Sequence, residues 1–114
     1  MARLQLMFKE RRIKDRKLLT GVLPGKLIVQ LDGQTSEVIG KPVDVSRNGL
    51  GLIISQQLDP GTEVTLQMQD HNVAFQIAWG QRDFGKQDMF RYGLVTLNPE
   101  DNVESIFLRT GCLR

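Results

Sequence analysis

Cysteine is almost absent from this chain. A single one, Cys112, stands in 114 residues, so no internal disulfide can form and a reducing cytoplasm is the expected compartment. Histidine is equally scarce. His71 is the only one and falls in a polar stretch between two apolar segments, where a solvated turn residue is expected rather than a ligand or general base. There is no Cys/His cluster at metal-ligand spacing and no phosphate loop of the GxxxxGK[ST] type. No apolar run approaches the roughly 20 residues of a membrane span, and the N-terminus lacks the apolar core and cleavage site of a secretory signal. Aromatic residues are only 6% of the chain, too few for the stacking platforms of a single-strand nucleic-acid binder. These absences argue against an enzyme, a metalloprotein, a membrane-spanning protein and a nucleic-acid-binding barrel, the last being the competing reading for a small basic domain.

What the chain does have is an uneven charge distribution. The net charge is +2, yet residues 1–17 carry seven basic side chains against two acidic ones, a net +5, which leaves −3 for the remainder. A basic arm on a mildly acidic body suits an anionic partner held largely by the arm. Leu4, Met7 and Phe8 recur at helical spacing, so the arm fits either a short helix or a mobile terminal segment.

From Pro24-Gly25 onward the pattern is that of strands. Lys26 to Leu31 alternates, Asp32-Gly33 makes a hairpin turn, and Val38 to Val45 reads as the return strand, with Gly40 and Pro42 marking an edge or bulge. Gly49 to Ser55 is a core strand. Thr62 to Gln69 points Val64, Leu66 and Met68 inward, and Val73, Phe75, Ile77 and Trp79 share one face of the next strand. Gly85 to Asp88 reads as a loop and Phe90 to Leu97 as the last strand. Asn98-Pro99-Glu100-Asp101 then opens a helix, with Asn98 as cap, Pro99 in the first turn, Val103, Ile106 and Phe107 as the apolar stripe, and Gly111 past its end. Six short strands and one helix predict an all-β, antiparallel barrel with a C-terminal α-helix.

Two motifs carry the chemistry. Arg12-Ile13-Lys14-Asp15-Arg16 offers two guanidinium groups four residues apart. Asp44-Val45-Ser46-Arg47-Asn48-Gly49, beginning 28 positions past Arg16, offers a carboxylate, a hydroxyl and a glycine. Arginine forks match phosphate oxygens and the O6/N7 edge of guanine, and a carboxylate matches the guanine edge that carries N–H donors. One ligand that satisfies both motifs carries guanine and phosphate together. Taken separately, RxxxR is common in arginine-rich tails, and DxSxxG also describes a turn whose side chains bond the local backbone.

Together the motifs resemble the PilZ domain, a bacterial receptor module for cyclic di-GMP, over roughly residues 8–110. Further matches are Leu58-Asp59-Pro60-Gly61, Ala78-Trp79 and Tyr92-Gly93-Leu94. The stretch after Gly93 departs from the family in lacking a phenylalanine often found there. The resemblance implies a six-stranded antiparallel barrel (residues 18–114) whose N-terminal arm (1–17) folds over the ligand. Arg12 and Arg16 would hold phosphates and guanine acceptor edges, Asp44 would accept from guanine N–H groups, Ser46 would add a hydroxyl contact, and Gly49 would allow close approach or supply a turn conformation. Arg11, next to the motif, would be an extra cation that makes a stacked ligand dimer conceivable. The implied function is a non-enzymatic, cytoplasmic receptor that binds cyclic di-GMP, needs no cofactor or metal, and signals to a protein effector of motility, exopolysaccharide or pilus machinery. The alternative is a nucleotide-independent interaction adaptor of the same fold.

Overall fold

The computed structural model describes residues 19–82 and 88–113. Seven strands form one antiparallel sheet: β1 (Lys26–Leu31), β2 (Gln34–Val38), β3 (Gly40–Val45), β4 (Gly49–Ile54), β5 (Glu63–Gln67), β6 (Asn72–Arg82) and β7 (Phe90–Thr96). One helix, α1 (Val103–Arg109), follows. The all-β barrel class with a C-terminal helix is as expected, but there are seven strands rather than six. The expected return strand is two strands: Val38 still pairs with Leu27 of β1, whereas Gly40 already pairs with Ile54 of β4. The hairpin at Asp32-Gly33 stands as read, with both turn residues at positive φ and β2 beginning immediately after, at Gln34.

The strand order is β2-β1-β5-β6-β7-β4-β3. β2 and β3 therefore form opposite edges, yet only Ile39 separates them in the chain. A flat sheet of seven strands at about 4.8 Å spacing would hold its edges nearly 30 Å apart, so the sheet must roll until they meet. Gly40 makes the junction tight, since a β-carbon there would come within 2.8 Å of a Leu27 methyl group.

The rolled sheet encloses one core. Leu27, Val29, Val64, Leu66, Val73 and Phe75 on its inner face are all at most 1% exposed, as period-2 alternation requires. Val103, Ile106 and Phe107 of α1 join the same cluster. The helix starts later than the sequence suggests. Asn98 organises a turn, its side chain accepting from the Glu100 amide at 3.0 Å and its carbonyl from the Asp101 amide at 3.0 Å. The cap is Asn102, which accepts from the Ser105 amide at 3.0 Å. Gly111 ends the helix in the left-handed region at φ 79°.

The N-terminal end of the described chain is fastened to this C-terminal segment. Leu19 forms an antiparallel bridge with Leu113, and the Thr20 amide donates to the Cys112 carbonyl at 3.1 Å. Cys112 itself is buried and unpaired. No helix among the described residues is long and apolar enough to cross a membrane.

Candidate functional site

Two β-bulges decide what the outer face of the sheet presents. In β3, Pro42 is buried and pairs with Leu52, so strict alternation would turn Asp44 inward as well. The register shifts between Pro42 and Asp44, leaving Val43 as the extra residue, and Asp44 pairs with Gly51. In β6, Ile77 is buried opposite Leu94, and the register shifts again at Ala78, so that Trp79 pairs with Gly93. One extra residue reverses the facing of everything after it. Asp44 and Trp79 are thereby delivered to the outer face, and Trp79 is 47% exposed. This corrects the expectation that Trp79 shares the buried face of Val73, Phe75 and Ile77.

Gly51 and Gly93 are themselves paired across β4 and β7. A continuous outer row therefore runs Asp44–Gly51–Gly93–Trp79 across four strands. The two glycines leave room that their neighbours use: Asp44 Oδ1 occupies the place a β-carbon on Gly51 would take, and the indole Nε1 of Trp79 does the same above Gly93. The carboxylate and the indole thus lean toward each other over a floor of bare backbone.

Ser46 extends this arrangement. Its amide donates to the Gly49 carbonyl at 3.0 Å, and its hydroxyl would lie 2.8 Å from a β-carbon on Gly49. Gly49 is the first residue of β4 and is not among the glycines with positive φ. The lack of a side chain there leaves room for the Ser46 hydroxyl, and the positive-φ turn conformation offered as the other reading is not seen. Of the expected site residues, Asp44, Ser46 and Gly49 come together on one exposed surface. Arg11, Arg12 and Arg16 lie outside the described residues, together with the rest of the expected arm and most of the Gly85–Asp88 loop.

Asn48 holds the motif turn in place. Its amide nitrogen donates to the Pro99 carbonyl at 3.0 Å, the Asp101 carbonyl at 2.9 Å and the Thr96 hydroxyl at 3.2 Å. The Arg47 carbonyl accepts from the Val103 amide at 2.7 Å. The motif turn is therefore tied to the start of α1, while the far end of α1 leads to the Leu113–Leu19 bridge. A single seven-residue helix, about 10 Å long, thus links the motif turn to the segment that pairs with Leu19.

The electrostatic partner of Asp44 is Arg91, whose Nη2 stands 3.6 Å from Asp44 Oδ2. Arg91 follows the same register logic, two positions before Gly93 on the outer face of β7. Neither Arg91 nor the Gly51–Gly93 floor is legible from the motifs, because only strand pairing brings them beside Asp44. Elsewhere, a shallow polar cleft of about 330 Å³ lies between the β1–β2 turn and the start of β5, lined by Gln30, Asp32 and Glu63 among others. It shares no residue with the motif. His71 sits in its turn as expected and bonds Asp70 at 3.1 Å.

The family model of the PilZ domain matches residues 10–109. No curated protein and no solved structure matches the chain significantly. The match covers most of the sequence, including both motifs, and the chain belongs to the PilZ domain family, a family of ligand-binding receptor domains for cyclic di-GMP.

Proposed function

We propose that this PilZ domain is a cyclic di-GMP receptor that closes its N-terminal arm on the ligand and offers the altered surface to a partner protein. The observation that carries this reading is the outward pairing of Asp44 and Ser46 over the glycine positions 49 and 51. A carboxylate and a hydroxyl on bare backbone can take a flat base at close range. Asp44 accepts from guanine N1–H and N2–H, a pattern adenine does not offer. Ser46 adds a hydroxyl contact and Gly49 lets the ligand approach the strand.

Arg12 and Arg16 supply the forks for phosphates and guanine O6/N7, and Arg11 a further positive charge that favours a second, stacked nucleotide. An arm of net +5 repels itself, and a dianion relieves that repulsion on closure. Charge-assisted hydrogen bonds contribute ~1.5–3 kcal/mol each, so several together offset the ordering cost of the arm. Support for this reading comes from Leu19, which is linked to the motif turn through the Leu113 bridge and α1. Closure then changes the surface around α1 and the arm, and a partner that binds the closed form better shifts the equilibrium further.

The test is calorimetric titration of the protein with cyclic di-GMP, with GTP and cyclic di-AMP as controls. Selective binding is expected, with Arg16→Ala weakening it at least about tenfold and leaving the thermal midpoint nearly unchanged. Absence of heat and of any thermal shift would replace the receptor with the nucleotide-independent adaptor.

A further inference from the structure

Asp44 presents a difficulty as a nucleotide ligand, because a carboxylate repels the phosphates of the molecule whose base it accepts from. Like charges a few ångströms apart oppose each other strongly where water is excluded. Among the described residues the cation that meets Asp44 is Arg91, at 3.6 Å. Its position is set by pairing. Arg91 stands opposite Ile53 and Gln81, and Ile53 opposite Lys41. Lys41 and Arg91 thus share an outer row that runs beside the Asp44–Gly51–Gly93–Trp79 row, one two-residue step along the strands, or about 7 Å. The Asp44 carboxylate thus stands beside a row that carries two cations, Lys41 and Arg91.

The Asp44–Arg91 pair is loose. Its side chains are 67% and 40% exposed, and pairs of this kind contribute little to folding. Separating them therefore costs little, and the guanidinium is long enough to serve either row. We propose that Arg91 is a further ligand-binding residue: it shields Asp44 in the nucleotide-free chain, and turns to the phosphate of the same nucleotide once a guanine edge takes the carboxylate. The fork that faces a carboxylate fits a phosphate equally well. This rests on the guanine-nucleotide reading of Asp44 and adds to it a cation from the barrel, independent of the arm.

The test titrates cyclic di-GMP into the full chain and its Arg91→Ala and Arg91→Lys variants at low and high salt. Arg91→Ala should weaken binding about tenfold and make affinity less sensitive to salt, while Arg91→Lys recovers part of the loss by keeping the charge without the fork. All three thermal midpoints should agree closely, and Arg91→Gln serves in the same role if the alanine variant folds poorly. A mere structural brace would lower the midpoint and leave the salt response untouched. Wild-type affinity and salt response in Arg91→Ala or Arg91→Gln overturns the role of Arg91 while the receptor reading stands. A wild-type chain that binds no cyclic di-GMP overturns both.

Discussion

Tyr92 stands on the inner side of β7, 2% exposed, and its hydroxyl works in both directions. It accepts from the Leu58 amide at 2.7 Å and donates to the Gln56 carbonyl at 2.9 Å, holding the β4–β5 connection against the barrel. Tyr92→Phe removes both bonds and leaves two backbone groups without a partner, which should cost about 1–3 kcal/mol in denaturant unfolding. Burial pushes the phenol above its ordinary value of 10.0, the Leu58 bond opposes this and the Asp59 carboxylate adds to it. The folded chain then keeps a proton that the unfolded chain releases near pH 10. The contribution is complete below that pH and is lost as pH rises through the higher folded value. Stability of the wild type should fall above pH 10 more steeply than that of Tyr92→Phe, and parallel curves would refute the coupling. The residue scale is also where sequence reading succeeds and fails most sharply. Alternation identifies Leu27, Val29, Val64, Leu66 and Phe75 as buried, because period-2 facing is a local property. It misplaces Trp79, because one unpaired residue at Ala78 inverts the facing, and nothing in the composition of Ile77-Ala78-Trp79 announces a bulge.

At the scale of elements, the motif turn and the helix behave as one unit. The two amide hydrogens of Asn48 serve three acceptors, two of them carbonyls in the 98–101 turn. That anchoring explains why α1 begins at Val103 with Asn102 as cap: the 98–101 segment is engaged with Asn48 and cannot join the helix. Asn98 and Pro99 are legible as a helix-opening pattern, but the same residues open a turn equally well, and the choice is made by a partner 51 positions away. Asn48→Ala should cost about 1–2 kcal/mol, a fall of roughly 5–10 °C in midpoint for a domain of this size. A midpoint within a degree of wild type would show that the turn holds itself. The extra strand has a comparable origin. Val38 to Val45 reads as one run of strand residues, and only the change of partner across Ile39 divides it. That Asp44 and Ser46 stand side by side was legible because the motif is contiguous, whereas the Gly51–Gly93 floor and Arg91 arrive beside them through pairing between distant segments.

For the molecule as a whole, the central fact is a sheet whose edges are brought together by Ile39 and not by a ladder. β2 pairs only with β1 and β3 only with β4, while β6 and β7 have neighbours on both sides. Alternate amides of β2 and β3 therefore lack a strand acceptor, and these strands can detach from one side without disturbing the centre. In native-state hydrogen exchange, β3 should open with a small fraction of the free energy that protects β6 and β7. Equal protection of β3 and β7 would mean that the seam is closed. The junction at Ile39 thus gives the barrel a graded stiffness around its girth. Asp44 rides on an edge stave paired on one side only, so a nucleotide that grips Asp44 tightens a loose side of the barrel, and slowed exchange along β3 becomes an early sign that the ligand has arrived.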